Sequence, residues 1–372
     1  MRKKEFTFFD KMIAIIAVLF ALCLILGVLA SKSDPREHVI LAFFGLAYPL
    51  FLLANVLFLI WWLLRKKWLF AVLTLIVIGG GRHTLNATFR LFGTEGTGEK
   101  LEDNLIRMMT YNVHNFKPYG EKNTELVKEQ MLDVVRNQNP DVICFQEFFT
   151  KRRGPYNTID SLKNILNTKY YYFLPTMESD SEAIGLAIFS KYPIINRNNI
   201  VFEPGAGNES IFVDLSVNNQ TIRVYNVHLQ SISFDKEDYN YLEKVQHQLN
   251  VEKSPSKRIF RMLRSAFKKR SAQVDLMKAH MKTCKTPYLI AGDFNDTPAS
   301  YAVTKMTDSL KNAFAEQGRG LGKTYNGKFP NFQIDYIATT PHFEVTNYYI
   351  VQAKLSDHFP VRSDLRLKTI HP

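Results

Sequence analysis

Between Lys11 and Lys32 the chain runs nineteen residues, Met12 to Ala30, without one charged side chain, and Val39 to Leu64 does the same over twenty-six. About 20 apolar residues suffice to cross roughly 30 Å of hydrocarbon, so each run is long enough to span a bilayer. The first is read as a span rather than a cleaved leader, because a second apolar run follows it instead of a small-residue cleavage site and polar sequence. A third run, Trp68 to Gly81, has fourteen residues, which at about 1.5 Å each reach roughly 21 Å. It crosses if the helix continues through His83-Thr84-Leu85 while Arg82 reaches back to the interface. Helices are therefore expected over about 11–31, 39–64 and 67–87, in a transmembrane region covering residues 1–92.

Orientation follows the Lys/Arg bias of the short flanks. Arg2-Lys3-Lys4 and Arg65-Lys66-Lys67 are basic, whereas Ser31 to His38 carries two basic and two acidic groups. The start and the second loop are thus expected in the cytoplasm. Three crossings put everything beyond about residue 90 on the far side of the membrane, periplasmic in a bacterium; two would keep it inside. The expectation is a multi-pass membrane protein, bacterial inner membrane, with its soluble part extracytoplasmic.

A mean hydropathy of −0.14 averages this apolar region with a remainder of ordinary globular character. That average excludes a transporter that is membrane throughout. The three cysteines, Cys23, Cys144 and Cys284, exclude a disulfide scaffold and offer no zinc-type spacing. Residues 93–104 are Gly- and charge-rich and read as a linker, which leaves 105–372 as the soluble domain. Strands are expected at 106–111, 141–146, 183–189, 287–291 and 334–337, and a helix over 124–137. The segments 211–217 and 221–227 flank Asn218-Asn219, a two-residue hairpin turn. Helical and hairpin connections together point to α/β or α+β layers rather than a purely parallel sheet.

Five strings place polar groups at the end of an apolar strand: Thr110-Tyr111-Asn112-Val113-His114, Phe145-Gln146-Glu147, Tyr225-Asn226-Val227-His228, Gly292-Asp293-Phe294-Asn295, and Ser356-Asp357-His358, preceded by Ile334-Asp335. Strand side chains alternate. Glu147 is then expected on the face of Ile143 and Phe145, Asn226 and His228 with Ile222 and Val224, and Asp293 and Asn295 with Leu289 and Ala291. Ionised groups are costly to bury alone, so carboxylates meeting at one rim imply a cation, or a phosphate with a cation. Gly292 is expected where two backbones approach closely. Glu182 and Asn208 sit in loops that could line the cleft, and His114 and His280 are read as structural.

In this order and spacing, the QE, GDFN and SDH strings resemble the endonuclease/exonuclease/phosphatase superfamily, over about residues 105–368. The resemblance implies a four-layer β-sandwich flanked by helices and a metal-dependent hydrolase of phosphoric esters. It implies Glu147 as the main Mg²⁺ ligand, with Asn112 and Asp357 close to the metal or its waters and Mn²⁺ as a substitute. Asp293 and Asn295 resemble the pair that orients the attacking water and the phosphate. His358 with Asp335 resembles the catalytic dyad. His228 matches a second histidine found in the deoxyribonuclease, sphingomyelinase and phosphatase branches, which argues against dedicated DNA repair.

The expected function is a membrane-anchored Mg²⁺-dependent phosphodiesterase or phosphomonoesterase, nuclease- or sphingomyelinase-like. Its substrate is a nucleic acid, a phospholipid or a phosphorylated small molecule. The alternative is a membrane-tethered binding module of the same fold without catalysis, which would be expected to lack one of the site residues; none is missing. No protein partner is inferred. Residues 252–270 carry eight basic groups against one acidic, within a net charge of +12 for the whole chain. Ile259, Leu263, Ala266, Phe267, Val274 and Met277 recur there and beyond at helical spacing, after a start at Ser254-Pro255. The basic segment 253–270 reads either as a solvated helix face or as a surface for anionic lipid or nucleic acid, with the membrane tether favouring lipid.

Overall fold

The computed structural model describes residues 7–368 except 95, 97, 118–124, 204–206, 233–236, 239, 242–244, 246–252 and 328–331. Thr124, Glu252 and the basic residues 2–4 thus lie outside it.

The apolar region forms five helices: α1 (Phe8–Ala30), α2 (Val39–Leu46), α3 (Tyr48–Leu64), α4 (Trp68–Gly80) and α5 (Arg82–Thr88). A capping box between Thr7 and Asp10 starts α1 three residues earlier than the uncharged run suggests. The 39–64 segment is not one helix but bends by 57° between α2 and α3. Pro49 sits in the first turn of α3 and has no N–H to donate to the Gly45 carbonyl. The Thr297 hydroxyl lies 3.5 Å from that carbonyl instead. The 67–87 segment likewise breaks by 75° between α4 and α5, after Gly79-Gly80-Gly81, residues that hold helix poorly. By length and apolarity α1 qualifies as a membrane span, and the two bent pairs do so if each counts as one. The three long helices alternate in direction. Gly81 packs against Val28 and Tyr48 at one end, and the Asp10 carboxylate pairs with Arg65 at the other, at 2.8 and 3.0 Å.

Two six-stranded sheets follow. The first has the order β13 (Phe343–Ile350), β14 (Val361–Leu367), β2 (Ile106–Asn112), β3 (Val142–Lys151), β5 (Glu182–Ser190), β4 (Tyr170–Glu178). The second runs β10 (Lys311–Asn312), β12 (Asp335–Thr339), β9 (Tyr288–Asp293), β8 (Gln220–His228), β7 (Glu209–Val217), β6 (Ile194–Val201). Neighbours are antiparallel except β2 with β3 and β8 with β9. Val142, Cys144, Ile222, Val224, Leu289 and Ala291 fill the space between the sheets. Outside the first sheet lie α6 (Glu125–Gln138) and α7 (Thr158–Ile165), through Met131, Val135 and Leu162. Outside the second lie α8 (Lys253–Thr283) and α9 (Tyr301–Thr307), through Val274, Met277, Val303 and Met306. The expected four layers are present, and the six apolar residues anticipated on α8 are all buried. Asn218 and Asn219 have φ of 48° and 62°, the left-handed pair that a tight hairpin demands.

The 93–104 stretch is fastened to the sandwich rather than free. Thr94 donates to the Asn347 side chain at 2.9 Å, and the Gly98 carbonyl accepts from Arg107 at 3.2 Å. Just before it, β1 (Phe89–Arg90) pairs with β11 (Gly320–Leu321). A short helix α10 (Ala313–Gln317) packs against β13, β12 and α5.

Candidate active site

The two parallel strand pairs end at the same rim. Asn112 closes β2 beside Gln146 of β3, and His228 closes β8 beside Asp293 of β9. Asp335, the first residue of β12, lies opposite Asp293 in the ladder. A Cβ at Gly292, whose φ is +143°, would collide with the Val227 carbonyl, so close approach of β8 and β9 depends on that glycine.

Glu147 reaches the rim by a route that simple alternation misses. The β3–β5 register shifts between Phe145 and Phe148, and Glu147 has φ of 51°. This bulge inserts one residue. Phe145 and Phe148 therefore both face the outer cluster, while Glu147 turns away from the Ile143 face and into the cleft. Its carboxylate lies 3.4 Å from Asn112 Nδ2. Asn226, buried between the sheets, donates to the Phe145 and Ala187 carbonyls at 2.8 and 3.0 Å and accepts from Gln146 at 2.6 Å. It takes up the last carbonyls before the bulge and ties one sheet to the other.

The predicted side chains converge. Asn112 Nδ2 donates to Asp293 Oδ2 at 3.1 Å, and the Asn295 N–H donates to Asp293 Oδ1 at 2.8 Å. Asn295 is held by donating its amide to the Leu229 carbonyl at 2.9 Å. His358 Nδ1 faces both Asp335 oxygens at 3.0 and 3.1 Å, and its Nε2 lies 3.6 Å from Asp293. The Ser356 hydroxyl braces this loop: it lies 2.9 Å from the Asn112 carbonyl and 3.1 Å from the Asp357 carboxylate, with one proton to give to either, and it accepts from the His358 N–H at 3.2 Å. His228 Nε2 points between Asp293, 3.7 Å, and Glu147, 4.0 Å. That nitrogen is buried without a hydrogen-bond partner among the described residues.

Charges at the rim act on one another. Burial pushes Asp293 up, to about 6, against the pull of His358. Burial would also raise Glu147, but His114 and the imidazoles of His228 and His358 outweigh it and hold the carboxylate near 2. Burial disfavours a charged His358, yet the Asp335, Asp293 and Asp357 carboxylates hold it well above the ordinary histidine range.

His114, read from sequence as structural, belongs to the site. Its Nδ1 lies 3.4 Å from Glu147 and 3.8 Å from Asp357, and hydrogen bonding to Glu147 raises its pKa. The signal was its place two residues after Asn112, where a left-handed turn (φ of 43°, 57° and 56° over 114–116) folds it back. His280 is structural as expected, bonded to Tyr225 at 3.1 Å. Glu182 faces Lys151 and Asn208 donates to the Leu229 carbonyl; neither is among the cavity's lining residues.

A cavity of about 260 Å³ opens over Glu147, Asp293, Asn295, Asp357 and His358. Carboxylate and amide oxygens with few nitrogen donors form the set that a hard divalent cation takes. Asp293, Asp335 and His358 offer atoms within 4.8 Å of one another. The unpartnered His228 Nε2 suits an incoming anion oxygen. The residues present therefore fit a divalent cation with a phosphate.

A two-sheet sandwich carrying acids, amides and imidazoles on the ends of its parallel strands is a phosphoesterase fold. The pattern of the endonuclease/exonuclease/phosphatase family matches residues 109–358, and the chain belongs to that family. A domain family of unknown function matches residues 10–88. Among curated proteins none matches the sequence. Similar solved structures include an endonuclease/exonuclease/phosphatase from Bacteroides vulgatus, 18% identical with a TM-score of 0.52, covering 71% of this chain and 99% of that one. A Bacteroides thetaiotaomicron family member is 15% identical, TM-score 0.51, with 70% and 97% covered. The human nocturnin catalytic domain with bound sulfate is 17% identical, TM-score 0.50, with 71% and 95% covered. These likenesses establish the fold.

Proposed function

We propose that the chain is a membrane-anchored, Mg²⁺-dependent phosphoester hydrolase, with Mn²⁺ able to substitute. The observation that carries this reading is the convergence of Glu147, Asn112, Asp293, His228 and His358 at one rim, from five separate segments, with Glu147, Asp293 and His358 lining the cavity. Glu147, Asn112 and Asp357 would hold the cation, which when bound draws charge from the phosphoryl group and stabilises the transition state. His228 Nε2, without a hydrogen-bond partner among the described residues and lying between Asp293 and Glu147, donates to a non-bridging oxygen. Asp335 fixes the His358 tautomer through Nδ1, leaving Nε2 to face the phosphate. Asp293, braced by Asn112 and the Asn295 N–H, orients the attacking water and accepts its proton. A water oxygen–phosphorus bond forms, the bond to the leaving oxygen breaks, and that oxygen departs as an alcohol by taking up the equivalent of the proton that the water released to Asp293.

In the same reading residues 1–92 are the membrane region, 93–104 the connection and 105–372 the catalytic domain. Supporting a multi-pass anchor, Leu19, Leu22, Leu53, Leu57, Val72 and Ile76 are exposed on α1, α3 and α4, and an apolar surface of that extent does not persist in water. Arg65-Lys66-Lys67 and Lys11 lie at the end of the bundle opposite the sandwich, which favours a catalytic domain outside the cytoplasm. A C-terminal reporter active only in the cytoplasm should stay silent; full activity would overturn that orientation. The central test assays the purified full chain on a chromogenic phosphodiester and a phosphomonoester, with Mg²⁺ and with EDTA. Hydrolysis that EDTA abolishes is expected. No hydrolysis of either substrate would leave the binding-module alternative.

A further inference from the structure

One wall of the reaction cavity comes from the apolar region. Leu46, at the end of α2, lines it together with Glu147 and His358, beside Ile232 and Phe267. One residue later the chain enters α3, where Leu50, Leu53 and Leu57 are exposed. Along the chain, the residue that forms the apolar wall thus leads directly into a helix whose exposed surface lipid would cover.

The other boundary is α8. Its Phe260 stacks on Phe43 of α2 with ring centroids 4.7 Å apart and planes 6° apart, and Phe267 meets the same ring edge-on at 5.3 Å. Arg36, in the loop before α2, reaches Asp275 of α8 at 2.6 Å. The helix is thus fixed beside the apolar region. Some of its cations are used inside the fold: Arg270 pairs with the buried Asp296 at 2.9 Å, and Arg258 with Asp238 at 3.0 Å. Lys257, Arg261, Arg264 and Lys268 fall at spacings of four, three and four residues, a single helical face. The first three are exposed.

We propose that the phosphoester hydrolysed here belongs to a membrane lipid. Its chain-bearing side lies along Leu46, Ile232 and Phe267, and the basic row of α8 rests on anionic headgroups around it. This deepens the hydrolase reading and rests on it. A polynucleotide carries charge at every residue and has no apolar tail to place on Leu46 and Ile232. A lipid has both ends of the required chemistry: a phosphate for the rim and methylenes for the wall. The reaction remains the balanced hydrolysis above, with water supplying the oxygen and the leaving alcohol taking a proton.

The test uses the full chain in nanodiscs with Mg²⁺. A phosphodiester lipid and a lipid phosphomonoester are each compared with the chain-free, water-soluble counterpart and with single-stranded DNA. For at least one lipid, kcat/KM should exceed that of its chain-free counterpart by about tenfold or more, the return on burying about two methylene groups. Leu46→Gln should lower that ratio and Leu46→Met should restore it. If Leu46→Gln loses its thermal transition, Ile232→Gln carries the same comparison. Replacing Lys257, Arg261 and Arg264 together by Gln should remove any preference for discs doped with anionic lipid. Equal rates on lipid and chain-free esters, or faster cleavage of DNA, would overturn the lipid proposal while leaving the hydrolase reading intact. Cleavage of none of these substrates would overturn both.

Discussion

Asn226→Ala tests how the site is built. Asn226 makes three buried hydrogen bonds between the sheets, two as donor to Phe145 and Ala187 carbonyls and one as acceptor from Gln146. Each contributes about 1 kcal/mol net, and a buried group left without a partner costs about 1–3 kcal/mol. Alanine takes this partner from the Phe145 and Ala187 carbonyls and from one Gln146 N–H, whose Nε2 keeps only Thr110, in a core closed to water. The sum expected is a loss of about 3–5 kcal/mol, after allowing for some relaxation. At about 2–4 °C per kcal/mol for a domain of this size, the thermal midpoint should fall by about 6–20 °C. Because the same bonds seat the bulge that presents Glu147, the stabilisation expected of the wild type on adding Mg²⁺ should shrink in the variant as well. Both are read by scanning unfolding of the full chain in detergent, with and without Mg²⁺. A fall of less than about 3 °C with an unchanged Mg²⁺ response would show that Asn226 does not hold the bulge.

The other predictions concern charge. Asp335→Asn should lower kcat by about 10²–10⁴ in steady-state assays, because His358 loses the partner that fixes its tautomer; a loss under about tenfold would show the dyad misassigned. Glu147→Gln should abolish the rise in thermal midpoint on adding Mg²⁺ while the metal-free midpoint holds; an undiminished rise would remove Glu147 from the cation site. Burial pushes Asp214 up, but the Arg223 guanidinium at 2.7–2.8 Å and the Asn196 amide outweigh it, so its pKa lies below the ordinary carboxylate range. A depressed carboxylate stabilises the fold above its unfolded pKa of about 3.9, and that contribution is lost as pH falls through the lower folded value. Wild type and Asp214→Asn should therefore differ in stability at neutral pH, and the gap should begin to close only below about pH 4 and vanish once pH is under the depressed folded pKa; a gap that persists there would refute the linkage.

Local patterns were legible where neighbours in sequence decide the outcome. The Asn218-Asn219 turn and the buried stripe of α8 needed only backbone preference and helical spacing. The candidate site residues were marked too, by the QE, GDFN and SDH strings, although only Asp293 closes its strand: Glu147 sits at a bulge inside β3 and His358 in the loop before β14. The bulge at Glu147 was not, since one inserted residue depends on Asn226, eighty positions away. His114 was missed for a related reason: its contacts with Glu147 and Asp357 exist only once the left-handed turn folds it back.

By itself, then, the sequence determined that this chain has an apolar N-terminal region, a layered sandwich and a set of acids, amides and imidazoles suited to a phosphate and a cation. Hydropathy and alternation are properties of short windows, and they suffice for that. Only the tertiary structure decided that the second apolar run bends at Ala47 and lays Leu46 against the reaction cavity. The bend follows from a missing N–H at Pro49, but where it points depends on Thr297 and α8, packed from the far end of the chain. A window of sequence carries no such contact energy.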